Sequence, residues 1–345
     1  MPEHTDVVVV GLGVMGSAAT AALARSGRSV VGVDARSPAH RDTASAGESR
    51  MLRRAYPSHP EYGPLTGPAR TAWLRLQERT GTRVFLPTGG LLIDRPQGIE
   101  EAVRAAERDG VPYRVVTGPT HPPLRPDPDA VGFLDVEAGV LLAEPAVLAL
   151  QAEAVGHGAR LRFGAPVDPA DLLDRWTRHH EVAGIRADRL VLALGAWQPA
   201  VGAWPPTTLE RTVSFWFDPG GHDLGRLPFT EWNDPDFCLL PALPRGVKVK
   251  FHHTGEPTGH PPRPPDAAEV DAARTRLRDL TGLDLEPRDA VASCYANTPD
   301  GRFVVAPHPD APEVVVVSAC SGHGFKFAPV LADRVVTLTD ERRAA

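Results

Sequence analysis

Cysteine and lysine are both scarce in this chain. Three cysteines in 345 residues, Cys238, Cys294 and Cys320, cannot pair completely, and free thiols fit a reducing compartment better than secretion. The chain has 37 Lys+Arg, yet lysine occurs only at Lys248, Lys250 and Lys326. Where arginine serves for almost every cation, a lysine marks a place suited to a compact ammonium rather than a planar guanidinium. A basic excess is missing as well: the formal net charge of −6 argues against a protein that grips phosphate backbones, so no nucleic-acid partner is expected. No apolar run is long enough to span a bilayer, and the opening "MPEHTDVVVVGLG" has no basic start ahead of its short apolar stretch. A soluble cytoplasmic protein with no membrane partner is the expectation.

What remains is a chain of ordinary globular composition. Hydrophobic residues make up 42% and charged residues 23%, which rules out wholesale disorder, and 345 residues predict two packed domains or one elaborated α/β unit. The first 34 residues read as strand, tight turn, helix and strand: "DVVVVGLG", then "SAATAALARSG", then "SVVGVDA". Residues 42–56 have no clean period and carry a dense set of polar groups, as a functional loop would. "ADRLVLALGAW" is a strongly apolar strand ending in a glycine turn, and "RTVSFWFD", "FCLLPAL" and "GVKVKFHH" alternate as antiparallel strands do. Dinucleotide-type elements at both ends and in the middle predict two interleaved domains. Residues 1–84, 143–212 and 300–345 form a Rossmann-like dinucleotide-binding domain; residues 85–142 and 213–299 form an antiparallel-sheet α+β substrate domain.

Gly11, Gly13 and Gly16 of "GLGVMG" lie between the first strand and the first helix, where bare backbone and a helix N-terminus can receive a pyrophosphate. Asp34 follows at the end of the second strand, where an acid accepts hydrogen bonds from a ribose. This unit predicts a dinucleotide and does not separate NAD from FAD. "SACSGHGFKF", with Gly322 and Gly324, is a second glycine turn between a buried strand and a helix, which a pure NAD dehydrogenase does not need.

At this point the chain resembles, over nearly its whole length, the monomeric sarcosine oxidase and N-methyltryptophan oxidase family of D-amino-acid-oxidase-like flavoproteins. "DVVVVGLGVMGSAA", "GESRMLRRAY", "LVLALGAW", "GVKVKFHH", "CYANTPDGRF" and "SGHGFKF" carry the resemblance, the last two most specifically. It implies FAD, a monomer, an amino acid substrate and oxygen as partners, and oxidation of the C–N bond of a secondary amino acid with release of hydrogen peroxide. Cys294 takes the place of the cysteine bonded to the flavin ring; core packing is the reading for an isolated thiol. Arg53 and Lys326 match a carboxylate-gripping pair, and Arg54 reads as surface solvation. Lys248 matches the lysine that activates oxygen, with Lys250 on the same strand face; Arg50 matches a second basic residue near the flavin, and His252 an active-site histidine. Departures from the pattern are Ala46 for a histidine, Ala296 for one tyrosine and Cys238 for another. They imply a wider pocket and a substrate bulkier than sarcosine, N-alkylated or cyclic, lined by Phe215, Trp216, Trp232 and Tyr295. No metal is expected: His252, His253 and His260 fit no ligand spacing. A flavin-dependent dehydrogenase or desaturase of a cyclic imino acid, a nicotinamide-dependent dehydrogenase and an accessory flavoprotein subunit are the competing readings.

Overall fold

A computed structural model of the chain describes residues 3–118, 121–202, 204–233 and 236–340. The outermost parts of the expected dinucleotide-binding segments, residues 1–2 and 341–345, lie outside the described residues, as do residue 203 of the middle segment and residues 119–120 and 234–235 of the expected substrate domain.

The strand Glu3–Val10 sits at the centre of a seven-stranded sheet because its valines Val7, Val8 and Val9 are apolar on both faces and completely buried. It runs parallel to Ile185–Leu192 on one side and Val30–Val33 on the other; Ala311–Ser318 and Arg160–Arg162 extend the parallel array outward. Val304–His308 closes one edge antiparallel. The helix Val14–Arg25 follows the first strand directly. Its buried alanines Ala18, Ala19, Ala21 and Ala22 let it pack closely with the helices Ala143–Gly156 and Ala328–Asp340 on one face of the sheet. The helix Pro169–His179 covers the other face through Leu172 and Trp176.

The second sheet has eight strands, in the order Pro287–Asn297, Thr208–Phe217, Gly246–Phe251, Asp236–Leu243, Phe229–Asn233, Gly90–Asp94, Val131–Asp135, Tyr113–Thr117. Every pairing is antiparallel except that of Phe229–Asn233 with Gly90–Asp94. Its alternation separates two environments. Val213, Phe215, Phe217, Val247 and Val249 turn toward Leu277 and Leu280 of the helix Ala267–Thr281, each large side chain contributing roughly 1.5–3 kcal/mol by leaving water. The residues between them face the other way. The strand Thr208–Phe217 runs through the domain boundary expected at residue 212, because its pairing with Pro287–Asn297 extends back unbroken to Thr208 and Asn297. A small third sheet joins Ser49–Leu52, Gly139–Leu142 and Phe85–Leu86, and so carries the loop of residues 42–56 between the two larger sheets. Among the described residues no helix is long and apolar enough to cross a membrane.

Candidate active site

The first strand of the parallel sheet ends in the glycine turn. A Cβ at Gly16 would stand 1.7 Å from the carbonyl oxygen of Gly11, so only glycine lets the first helix approach the strand end this closely. Gly11 and Gly13 border a cavity at the N-terminus of that helix. Asp34 closes the turn: its carboxylate accepts from the Leu12 backbone N–H at 2.7 Å and from that of Arg36 at 2.9 Å, and it too borders the cavity. The C-terminal glycine turn converges on the same space through Gly322 and Gly324, and a Cβ at Gly324 would meet the Ala319 carbonyl oxygen at 1.7 Å.

The cavity, about 1040 Å³, lies between these strand ends and the free face of the eight-stranded sheet, and every lysine of the chain lines it. Lys248 is buried and donates to the carbonyl oxygens of Gly47 at 2.7 Å and Ser49 at 3.0 Å; burial, then the neighbouring Arg50 charge, pushes its ammonium well below the usual lysine range. Arg50 donates to the carbonyls of Ser49, Ala44 and Ala46 and is lowered by burial. Glu144 holds that loop by accepting from the backbone N–H groups of Gly47 and Glu48 at 2.8 and 3.0 Å. Arg53 forms an ion pair with Glu231 at 3.2 Å. Lys326 donates to the His323 carbonyl at 2.9 Å and stands over the ring of Tyr56.

Polar side chains complete the wall. His252 is held between Tyr295 Oη at 2.8 Å and Cys238 Sγ at 3.2 Å, and burial, followed by the charges of Lys250 and Arg53, keeps its imidazole neutral. Tyr56 Oη meets His323 Nδ1 at 2.6 Å, and burial drives the His323 pKa down to about 3. Trp216 donates its indole N–H to Glu48 at 3.0 Å.

A family model described as FAD dependent oxidoreductase, DAO, matches residues 6–338. A monomeric sarcosine oxidase of Streptomyces avermitilis is 32% identical, with 98% of this chain and 94% of that protein covered. The chain belongs to the FAD-dependent oxidoreductase family. An N-methyl-L-tryptophan oxidase of Yersinia pestis is 26% identical over 95% of this chain and 93% of its own length. Among solved structures, the L-proline dehydrogenase of P. horikoshii superposes with a TM-score of 0.83 at 18% identity, covering 99% and 94% of the two chains. NikD, described as an unusual amino acid oxidase essential for nikkomycin biosynthesis, gives 0.81 at 20% identity over 98% and 94%. The fold is therefore that of the FAD-dependent amino acid oxidases, and the nicotinamide-dependent reading is set aside.

The residues of this FAD-dependent oxidoreductase fit its cofactor. The bare backbone at Gly11 and Gly13 and the helix N-terminus suit a pyrophosphate, Asp34 has lone pairs left for a ribose, and the basic wall suits an anionic ring system. The surroundings of Cys294, the expected anchor of the flavin, are less basic than the rest of the wall. Cys294 reaches the cavity wall, but its sulfur lies 3.7 Å from the Gly259 carbonyl and 3.8 Å from His260 Nδ1, on the face that its cross-strand partner Arg211 shares with Glu256 and Glu269. Burial, then the neighbouring Cys320, raises the thiol pKa to about 11, a direction that disfavours the reactive thiolate. Ala296 is buried and does not line the cavity, so the structure does not bring it to the expected substrate site. Ser293 and Tyr295, on either side of Cys294, also line the cavity.

Alternation sorts the remaining candidates. Trp216 and Tyr295 line the cavity, whereas Phe215 and Trp232 belong to the core beneath the sheet. Ala46, Cys238, Lys250 and His253 border the cavity; His260 does not. Arg54 is paired with Glu137 rather than solvated. Gly16 packs the helix and does not touch the cavity. No group of three or more His, Cys, Asp or Glu residues suited to a metal occurs among the described residues. Sequence reasoning missed Glu231, Tyr56 and His323. Tyr56 closes the quoted "GESRMLRRAY" and His323 sits inside "SGHGFKF", so both had a signal; Glu231 had only its place between Thr230 and Trp232 in a strand.

Proposed function

We propose that the chain is an oxidase of an N-alkylated or cyclic amino acid. The observation that carries this reading is the convergence of Arg50, Arg53, Lys248 and Lys326 on one cavity beside the dinucleotide turn. The activities named for the relatives, on sarcosine and N-methyl-L-tryptophan, support an N-substituted substrate. When bound, FAD supplies the acceptor for a hydride from the carbon bearing the amine and delivers the electron pair to oxygen as hydrogen peroxide.

The chain's own residues do the rest. Arg53, its fork steadied by Glu231, and Lys326 hold the substrate carboxylate, which orients the reacting C–H. The surrounding cations favour the neutral amine over its ammonium form, and the neutral form is the one that can give up a hydride. His252, uncharged between Tyr295 and Cys238, offers a polar wall that adds no further positive charge. Lys248, fixed by two carbonyls, is preorganised to stabilise negative charge that develops as oxygen is reduced, with Arg50 beside it. The small side chains of Ala46 and Cys238 support a substrate larger than sarcosine.

FAD in this reading is held without a thioether to Cys294. The protein acts as a cytoplasmic monomer, with residues 1–84, 143–212 and 300–345 serving the cofactor and residues 85–142 and 213–299 serving the substrate. The test is oxygen consumption and peroxide release by the yellow purified protein over a panel of N-methyl and cyclic amino acids. Turnover that proceeds only with an artificial electron acceptor under argon would favour a dehydrogenase and overturn the oxidase reading.

A further inference from the structure

Four cations of the cavity wall are each tied to an acceptor. Lys248 and Arg50 hold backbone carbonyls, Arg53 holds Glu231, and Lys326 holds the His323 carbonyl. Lys250 has none. Its Nζ lies 4.3 Å over the ring of Tyr295, and among the described residues no carbonyl or carboxylate accepts a hydrogen bond from it. Its three donors face the cavity, since Lys250 alternates with Lys248 and His252 on that side of the strand. Directly across the neighbouring strand stands Ser214, whose hydroxyl lines the same wall, and Ser293 lines it one strand further on.

The charges fall into two groups. Lys326, Arg53 and Glu231 influence one another and sum to a single positive charge, the complement of one carboxylate. Lys250 feels Arg50 and Lys248 instead and has no anion in hydrogen-bonding contact. An ammonium at such a position loses its hydration and gains no hydrogen-bond acceptor among the described residues; the Tyr295 ring and the charge of Glu210 offset only part of that cost. A chain that avoids lysine nearly everywhere nevertheless places one here, where an apolar residue would remove that cost.

We infer that Lys250, with the Ser214 hydroxyl beside it, is a second carboxylate-binding point, and that the preferred substrate is an amino acid carrying two acidic groups. This rests on the reading of Arg53 and Lys326 as the grip on the α-carboxylate; the distal carboxylate goes to Lys250. A negative charge on the bound flavin is the other source of the same chemistry, and the experiment separates the two.

The yellow holoenzyme is titrated with propionate and butyrate, then with succinate and glutarate, following the flavin absorption spectrum. The expected result is that a dicarboxylate binds at least about tenfold more tightly than the monocarboxylate of similar length, and that Lys250→Met brings it down to the monocarboxylate value while Lys250→Arg keeps part of the preference. Equal binding of mono- and dicarboxylates by the parent, or a preference that survives in Lys250→Met, overturns the inference. Sulfite titration of the flavin is the second arm: a large loss of sulfite affinity in Lys250→Met with the dicarboxylate preference intact assigns Lys250 to the cofactor and equally overturns it. If monocarboxylates also leave the spectrum unchanged, the Arg53 and Lys326 grip is what has failed, and the second binding point falls with it.

Discussion

Cys294 and Tyr295 are consecutive residues of one strand with different partners: the tyrosine hydroxyl meets His252 Nδ1 at 2.8 Å in the cavity, while the thiol, at the cavity wall, is turned to the Gly259 carbonyl at 3.7 Å. Acid denaturation of the holoenzyme should therefore release its flavin into the supernatant. Cys294→Ala should bind the same amount of flavin as the parent. Yellow precipitate from the parent, lost in Cys294→Ala, would show that the thiol reaches the ring after all.

Lys248 is positioned by two backbone carbonyls that no other cation shares in full. Lys248→Met should slow the return of yellow colour on mixing reduced enzyme with oxygen by about 100-fold, the usual cost of removing one preorganised charge or donor. Bleaching by substrate under argon should change far less. Stopped-flow measurement of the two half-reactions checks the split.

Arg53 presents a fork and Lys326 a point charge, so each is tested by removing what it alone supplies. Arg53→Lys and Lys326→Met should each lower kcat/KM by about 10- to 100-fold, in line with ~1.5–3 kcal/mol for a hydrogen bond to a charged group. Steady-state kinetics on the best substrate of the panel decides this, and an unchanged KM in both variants would remove the pair from carboxylate binding.

Lys250 gives a pH prediction for the substrate-free holoenzyme. Burial first, then the Arg50 charge, lowers its pKa from 10.5 to about 7. Between those values the unfolded chain binds the proton more readily, so stability rises with pH through that window; below pH 7 both states are protonated and the cost of the buried ammonium is fully felt. Lys250→Met should therefore be more resistant to denaturant than the parent at pH 6. The difference should shrink steadily and close near pH 10.5, as read by urea midpoints across pH.

Gly324 is fixed by sterics rather than chemistry. A methyl group there would collide with the Ala319 carbonyl, so Gly324→Ala should destabilise the protein by about 1–3 kcal/mol and loosen flavin retention. Thermal unfolding and flavin content of the purified variant measure both.

The parallel sheet was legible because a valine strand, glycine turn, alanine helix and acid form one local unit whose parts cannot rearrange independently. The lysines were legible by rarity. What sequence could not supply was the phase of each strand of the second sheet. Alternation with period two makes Phe215 and Trp216, or Cys294 and Tyr295, equally suited to either face until the pairing partners are known, and a shift of one residue inverts the assignment. Glu231 escaped for a related reason: its meaning lies in its ion pair with Arg53, far away in sequence.

The confinement of every lysine to the cavity wall leaves the outer surface without ε-amines. Amine-directed acylating reagents therefore have, apart from the α-amino group, no decoy sites on which to spend themselves. Bead coupling or fluorescent tagging of ε-amines would report on access to the interior, and occupants of the cavity would shield the lysines from labelling.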